Sequence, residues 1–404
     1  MDYKSTLLAP LKIGNKECPN RFFVQAMEGN DADDEGNPSE LTCRRYEKLF
    51  EGEAGMVSLE SIFLSPDCRR RPCQLVLARK NLEPIAALVR RLRAINPATL
   101  FIFQLNHAGE NIHPALGPRI AVKANPAVAA SLLSEEEIVR IMDAYVASAR
   151  LAYEAGADGV DVKLCHGYLS MQMLRPFNDR SWKYGGSWEN RRTFAFELYE
   201  RIRKAVPDEG FLLGSKISLW DASIGGFGTA GSDTGVMDLS EPIDLAKGLV
   251  ERGASFLIQS ASGPDLIQPS KKAALSVFLH QSLAKALKEA VGPGTAIIGS
   301  GYSLLAEGKH PFANGSPDTV SLFNCAARNI ERGWVDSIGL GRQSFADPHL
   351  PRKLREGAEA YIRYCIVCDA CSKLQWNDRQ VGCAVHDPYY ARILKELNSE
   401  AKRG

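Results

Sequence analysis

Four cysteines, Cys365, Cys368, Cys371 and Cys383, follow the spacing C-x2-C-x2-C-x11-C. Four thiolates suit a 4Fe–4S cluster or a structural Zn²⁺. A common zinc pattern uses two C-x2-C pairs far apart. Three crowded cysteines with a remote fourth fit a cluster better, and unligated thiols are the plain alternative. The other six of the ten cysteines are scattered, and such crowding does not resemble a disulfide framework.

A second group is Lys163, His166 and Tyr168, within DGVDVKLCHGY. Side chains alternate along a strand, so Asp161 and Lys163 share one face and Val160, Val162 and Leu164 the other. A buried unpaired charge costs several kcal/mol. Lys163 is therefore expected at an open mouth or beside a partner, such as Asp161 or a bound anion. An internal salt bridge without catalytic role is the competing reading. A histidine and a tyrosine beside a lysine at a strand tip are candidates for acid, base or oxyanion roles. A third group is the pair of glycine-containing stretches Ile298-Gly-Ser-Gly-Tyr302 and Gly339-Leu-Gly-Arg342. Glycines let backbone N–H groups approach an anion, and Arg342 can add a charge-assisted bond. Arg69, Arg70 and Arg71 form a basic run. Its ordinary reading is a solvated surface; the sharper one is recognition of an acidic substrate or a phosphorylated carrier such as CoA.

Eight short runs read as strands: Arg21–Ala26, Gly55–Ser61, Leu100–Leu105, Gly159–Leu164, Phe211–Ser218, Ser255–Ser260, Thr295–Ser300 and Val335–Leu340. Helical periodicity fills most gaps, at Leu82–Ile95, Ser134–Ala155, Glu189–Val206, Pro242–Arg252 and Ser282–Ala290. The alternation predicts a (β/α)8 TIM barrel, which needs about 250 residues. An open doubly wound sheet would alternate similarly. The barrel is favoured by polar residues at or just past the strand ends: Gln25, Glu60, Gln104, Lys163 with His166, Lys216, Gln259 with Ser260, Ser300 and Arg342. Under this reading both glycine stretches fall after strands seven and eight, where barrels frequently hold phosphate. Extra length falls at Asn106–Leu133, Leu219–Leu239 and Gly263–Leu279, as functional loops often do. A boundary is expected near Gly357, with a barrel at 1–357 and a short cysteine-rich C-terminal extension at 358–404.

The chain has 404 residues, with 49 basic and 48 acidic side chains and a formal charge of +1. That balance argues against nucleic acid or an anionic membrane as main partner. Apolar residues make up 45% and charged ones 24%, enough for a large core. No apolar run reaches the roughly 18 residues of a membrane span. The start, MDYKSTLLAPLKIG, lacks a long secretory h-region. A cytoplasmic protein is expected.

The segment CHGYLSMQMLRPFNDRSWKYGGSWENRRTF resembles the signature of the old yellow enzyme family of FMN-dependent oxidoreductases. NRFFVQAM, QLNHAGE and GLGRQSFADPHLPRKLREG resemble that family's first, third and eighth strand regions, in the same order. The likeness spans roughly residues 7–357. The tail CIVCDACSKLQWNDRQVGCAVHDP resembles the iron–sulfur motif of the 2,4-dienoyl-CoA reductase and trimethylamine dehydrogenase branch. The first two cysteine gaps match the second of these and the last gap the first.

The resemblance implies roles for individual residues. The backbone around Ala26 and Met27, together with Ser61, would line the flavin ring. Gln104 would bond its pyrimidine edge. Lys216 stands where the family usually has an arginine beside N1 and O2, which keeps the charge without the bidentate fork. Ser300, Gly301, Gly341 and Arg342 would hold the FMN phosphate. Tyr168 matches the proton donor. Lys163 and His166 match the pair gripping the substrate oxygen, commonly two histidines or histidine with asparagine. The implied chemistry is ping-pong: hydride passes from reduced FMN N5 to the β-carbon of an activated alkene, and Tyr168 protonates the α-carbon.

The larger relatives continue into FAD- and NAD(P)H-binding domains, whereas Gly404 is the last residue here and the tail carries no G-x-G-x-x-G. Electrons are expected from NAD(P)H directly or from a ferredoxin or flavoprotein donor. A homo-oligomer is expected from the family. Two other functions compete with ene-reduction. One is amine dehydrogenation or demethylation with outward electron flow through the cluster. VQAMEGN has no cysteine to tether flavin, and Lys163 would repel a cationic substrate. The other is a non-catalytic electron-transfer subunit.

Overall fold

The computed structural model describes residues 2–125, 127–262, 273–305 and 320–401. Eight parallel strands close into a barrel: β1 Phe22–Val24, β2 Met56–Phe63, β3 Leu100–Asn106, β4 Gly159–Val162, β5 Leu212–Asp221, β6 Phe256–Ser262, β7 Ala296–Gly299 and β8 Ser337–Leu340. Each pairs with its chain neighbour, and β8 closes on β1 with Ile338 opposite Phe22. The main helices outside the ring are α1 Glu40–Glu51, α2 Leu82–Ile95, α3 Glu135–Glu154, α4 Trp188–Ala205, α5 Ser240–Glu251, α6 Ala273–Val291, α7 Leu322–Glu331 and α8 Leu350–Arg355. The expected TIM barrel is the fold, and every expected strand overlaps an observed one. The helix expected at Ser282–Ala290 extends over all of α6, because Leu283, Ala284 and Leu287 continue a buried stripe that begins at Val277. Residues 263–272 of the loop expected at Gly263–Leu279 lie outside the described residues.

Alternation along the strands builds two cores. Phe101, Phe103 and Leu105 of β3 point outward, and join Val160, Val162, Leu213 and Ile297 in the large core beneath the helices. Ile102, with Phe23, Met56, Leu212, Phe256, Ile258 and Ile298, fills the ring from inside. The hairpin Leu11–Ile13/Lys16–Cys18 adds Ile13 and Cys18 to this plug. One step further along the inward series the residues turn polar: Gln25, Gln104, Lys163, Lys216, Ser260 and Ser300. The apolar plug therefore fixes the bottom of the barrel, and the same register delivers a polar set at the top.

Local signals set the helix starts. Ser39 and Thr42 form a capping box on α1, as do Ser134 and Glu137 on α3, where Glu135 and Glu136 also sit on the positive end of the helix. After α8 the chain folds back over the barrel mouth through α9 Ala370–Trp376 and α10 Pro388–Glu400. Leu374, Val381, Tyr390 and Leu397 form a small core of their own. Val381 N donates to Gly29 O at 2.7 Å, and Asn30 Nδ2 to Asp378 O at 2.9 Å. These bonds tie the extension to the loop after β1. No helix among the described residues is long and apolar enough to cross a membrane.

Candidate active site

The polar strand tips line one cavity of ≈ 380 Å³ at the C-terminal mouth, a size suited to a cofactor or small ligand. Lys163, His166 and Tyr168 share it with Ala26, Met27, Gln104, Lys216, Ser300, Gly301, Gly341 and Arg342. Of the residues expected at the flavin, only Ser61 lies off the wall. It is buried behind it, accepting from Lys163 Nζ at 2.6 Å and donating to Gln104 Oε1 at 2.9 Å.

The partner of Lys163 is not Asp161. That carboxylate accepts from Gln104 Nε2 at 2.6 Å and from the Lys216 backbone N–H at 2.7 Å. Lys163 Nζ instead lies 3.4 Å from Glu28 Oε1 and 3.9 Å from the centre of the Tyr168 ring. Glu28 is the hub of the site. Its Oε1 also accepts from the Tyr168 hydroxyl at 3.1 Å. Its Oε2 accepts from Arg71 at 3.0 Å, Gln74 at 2.9 Å and Gln375 at 3.1 Å.

Two of the three arginines in the basic run are withdrawn from solvent, while Arg70 lines the cavity. Arg69 and Arg71 are each only 4% exposed. Arg69 donates to the carbonyls of Pro66 and Asp34, and Arg71 is ion-paired to Glu28 and bonded to Gln375 O. Arg69 therefore satisfies carbonyls of its own loop and of Asp34, and Arg71 is covered by the extension through Gln375.

Burial alone would raise the Glu28 pKa, but Lys163, then Arg71 and Arg70, outweigh it and hold the carboxyl at about 2. Burial pulls Lys163 down, yet the Tyr168 oxygen and Glu28 leave it above the usual lysine value. His166 falls well below its ordinary value through burial and the nearby Lys216 and Lys163, so it is neutral at pH 7. Its Nε2 lies 3.0 Å from Ser260 Oγ. His166 (φ +62°) and Gly167 (φ +73°) are both left-handed. This costs about 1 kcal/mol or more at the histidine and turns the chain sharply off β4.

Glu28→Gln is expected to lower stability at pH 7 by about 3–5 kcal/mol, since Lys163 and Arg71 would stay buried without their carboxylate. The Glu28 pKa lies below its ordinary 4.5, so its contribution is complete above that value and is lost as pH falls through about 2. Thermal melts of wild type and variant should therefore differ at pH 7 and converge toward pH 2.

On the opposite wall, Lys216 Nζ donates to Gln25 Oε1 at 2.9 Å, and Gln25 Nε2 to Ser300 Oγ at 2.7 Å. Burial, with Lys216 nearby, holds His280 at about 4. Gly301 adopts φ +93°, and a Cβ there would meet His280 Cβ at 3.0 Å. A Cβ on Gly341 would meet nothing closer than Met27 Sδ at 3.4 Å, so space stands open above that backbone. Arg342 lines the cavity and also pairs with Asp369 at 2.5 Å, within the cysteine loop.

All four cysteines line a second, small cavity beside the first. Arg342, Phe345 and Cys371 border both. Burial raises the thiol pKa values of Cys365, Cys371 and Cys383, that of Cys365 to about 12. Among the described residues, no three His, Cys, Asp or Glu side chains are grouped to hold a metal ion.

Glu28, His280, Ser303, Gln375 and Trp376 line the cavity without having been singled out in the sequence. Glu28 follows β1 closely enough that the strand-tip rule could have found it. Ser303, just past β7, carries the same signal, whereas His280, Gln375 and Trp376 have none, because packing alone brings them to the mouth.

Several relatives match along most of the chain. NADH oxidase from Thermoanaerobacter brockii is 29% identical over 91% of this chain and 54% of its own length. Dimethylamine dehydrogenase from Hyphomicrobium sp. is 28% identical over 90% and 47%. Cinnamate reductase from Clostridium sporogenes is 25% identical over 95% and 58%. The chain thus spans about half the length of these relatives. Residues 6–360 match the NADH:flavin oxidoreductase / NADH oxidase family, and with the closed barrel and its polar mouth this places the chain in that family of flavin-dependent oxidoreductases.

Proposed function

We propose that this protein is an FMN-dependent ene-reductase acting on an α,β-unsaturated carbonyl, acid or thioester. The observation that carries the reading is the convergence of Lys163, His166 and Tyr168 in one cavity with the strand-tip amides and the two glycine stretches. The cavity suits FMN in its donor set. Gln104 and Lys216 offer donors for a flavin edge, and the open backbone at Gly341, with Ser300, Gly301 and Arg342 on the same wall, suits a phosphate. When bound, FMN supplies the two-electron hydride chemistry that side chains lack.

The chain's own residues do the rest. Lys163 and neutral His166 donate to the substrate's carbonyl oxygen and stabilise the charge that develops there. Ser61 and Glu28 hold Lys163 in place for this. The Tyr168 hydroxyl gives its proton to the α-carbon. Glu28 fixes the hydroxyl's direction. Lys216 sets positive charge beside the flavin edge.

The cysteine quartet is read as a 4Fe–4S site. Four thiols lining one cavity, three of them crowded in sequence and the fourth remote, suit a cluster better than Zn²⁺. The dimethylamine dehydrogenase relative supports a second reading, amine oxidation. Among the described residues, five lining cations, Arg70, Arg71, Lys163, Lys216 and Arg342, against one lining carboxylate, Glu28, weigh against a cationic substrate. The electron donor is read as NAD(P)H or a partner protein such as a ferredoxin.

Protein purified without oxygen should show a flavin band and a broader absorbance. Stepwise dithionite reduction should take up two electrons for the flavin and a third for the cluster. Uptake of two electrons with no broad band would reduce the site to a flavin reductase with zinc or free thiols. Failure to bind added FMN would overturn the reading.

A further inference from the structure

A third cavity, of ≈ 340 Å³, lies between α1, the segment after β8 and the C-terminal extension. It is not the mouth of the barrel. Lys163, His166 and Tyr168 do not line it, and only Gln25, Met27 and Phe345 border both. Val24, Leu49, Ala346 and Tyr390 give it a buried apolar wall. The polar groups among them are engaged within the protein. Arg45 is held between Asp31 and Glu60, Gln25 between Lys216 and Ser300, and Ser58 donates to Leu59 O. His349 faces Glu51, and His386 faces Tyr364 O. The lining carboxylate, Asp387, caps α10 through the Tyr389 N–H at 2.9 Å and lies 3.9 Å from Lys48 Nζ.

Two exposed guanidinium groups are left, Arg44 from α1 and Arg363 from the extension. Arg44 stands 5.9 Å from the centre of the Tyr389 ring, and its helix neighbours Glu40 and Glu47 are taken by Arg91. Arg363 donates to His386 O at 3.3 Å. Neither makes an ion pair with a carboxylate among the described residues. The cavity thus joins an apolar interior, whose polar atoms are already paired, to a rim with two uncompensated cations.

We propose that this cavity binds an amphipathic anion, an apolar chain ending in one carboxylate or phosphate, as a ligand distinct from the substrate of the mouth. The chain lies against the buried wall, where it displaces water without breaking a hydrogen bond of the protein. The anionic head stays at the rim, where Arg44 and Arg363 reach it from two separate elements with charge-assisted bonds. A polar body would find no free partner inside, and a cation would meet both guanidinium groups.

The test titrates the full chain, with FMN added to occupy the mouth, against octanoate, octyl phosphate and 1-octanol by calorimetry. At least one anion should bind about 10-fold more tightly than the alcohol, the product of two exposed ion pairs. Affinity should rise about 3–4-fold per methylene from butanoate to octanoate, as burial of the chain requires. Arg44→Ala and Arg363→Ala should each cut the anion-over-alcohol ratio about 3–5-fold and leave 1-octanol binding near the wild-type value. Both side chains are exposed, so both variants should fold, which a thermal melt checks. Should either fail, Arg44→Gln serves in its place. Tighter octanoate assigns a carboxylate ligand and tighter octyl phosphate a phosphate ester; either supports the site. Equal binding of anions and alcohol by wild type, no dependence on chain length, or an unchanged ratio in a folded Arg44 variant overturns it. None of these outcomes depends on alkene reduction, so the cavity and the ene-reductase reading fail separately.

Discussion

Tyr168→Phe should lower alkene reduction by about 10²–10⁴-fold while reduction of the bound flavin proceeds as in wild type. The substitution removes one oxygen and keeps the ring against Lys163. Glu28 loses one donor and keeps Lys163, Arg71, Gln74 and Gln375, so the buried carboxylate stays compensated. The effect should therefore fall on proton delivery and not on folding. Anaerobic stopped-flow resolves the two half-reactions: flavin bleaching on reduction, and its return on mixing with the alkene. Slowing confined to the return step identifies Tyr168 as the donor. An unchanged return step would mean the proton comes from elsewhere, and a non-catalytic subunit would show no alkene-driven return in wild type either.

Cys371→Ser should empty the cysteine cavity. Iron should fall from about four atoms per chain to near zero, and the third electron of a dithionite titration should disappear. Serine oxygen is a poor replacement for a thiolate ligand, and Cys371 stands at the wall between the two cavities. The change should also loosen α9, which begins beside this residue and carries Gln375 and Trp376 to the mouth. Metal analysis together with protease sensitivity of the extension reads both effects. One zinc per wild-type chain would replace the cluster by a structural ion. Full iron content in the variant would show that Cys371 is not a ligand.

The barrel was legible because parallel strands buried on both faces read as apolar runs that end in a polar residue. Phe101–Phe103 and Ile297–Ile298 are such runs, and Gln104 and Ser300 are such ends. The strand-tip residues could likewise be assembled without coordinates, since a barrel brings all its C-terminal ends to one place. Pairings across the mouth could not. Alternation puts Asp161 and Lys163 on one face, but which groups they meet depends on the loop after β1, where Glu28 competes for the lysine. The arginine run was misread for a related reason. Whether Arg71 faces water depends on a segment some 300 residues later folding back over it, as the Arg71–Gln375 bond shows, while Arg69 turns inward onto the carbonyls of its own loop and Asp34.

The Gln375–Glu28 bond joins residues 347 positions apart. Closing a flexible segment of that size carries an entropy penalty on the order of 5 kcal/mol, which a single hydrogen bond cannot offset. The contact can persist only after the ring has closed and shortened the path between its two ends. Arrival of the extension is then a late event in folding, and it supplies the last wall of the cavity. Until it docks, the mouth lacks that side. A mutation that slows docking of α9 would leave a barrel that is folded and coloured yet lacks one side of its substrate pocket.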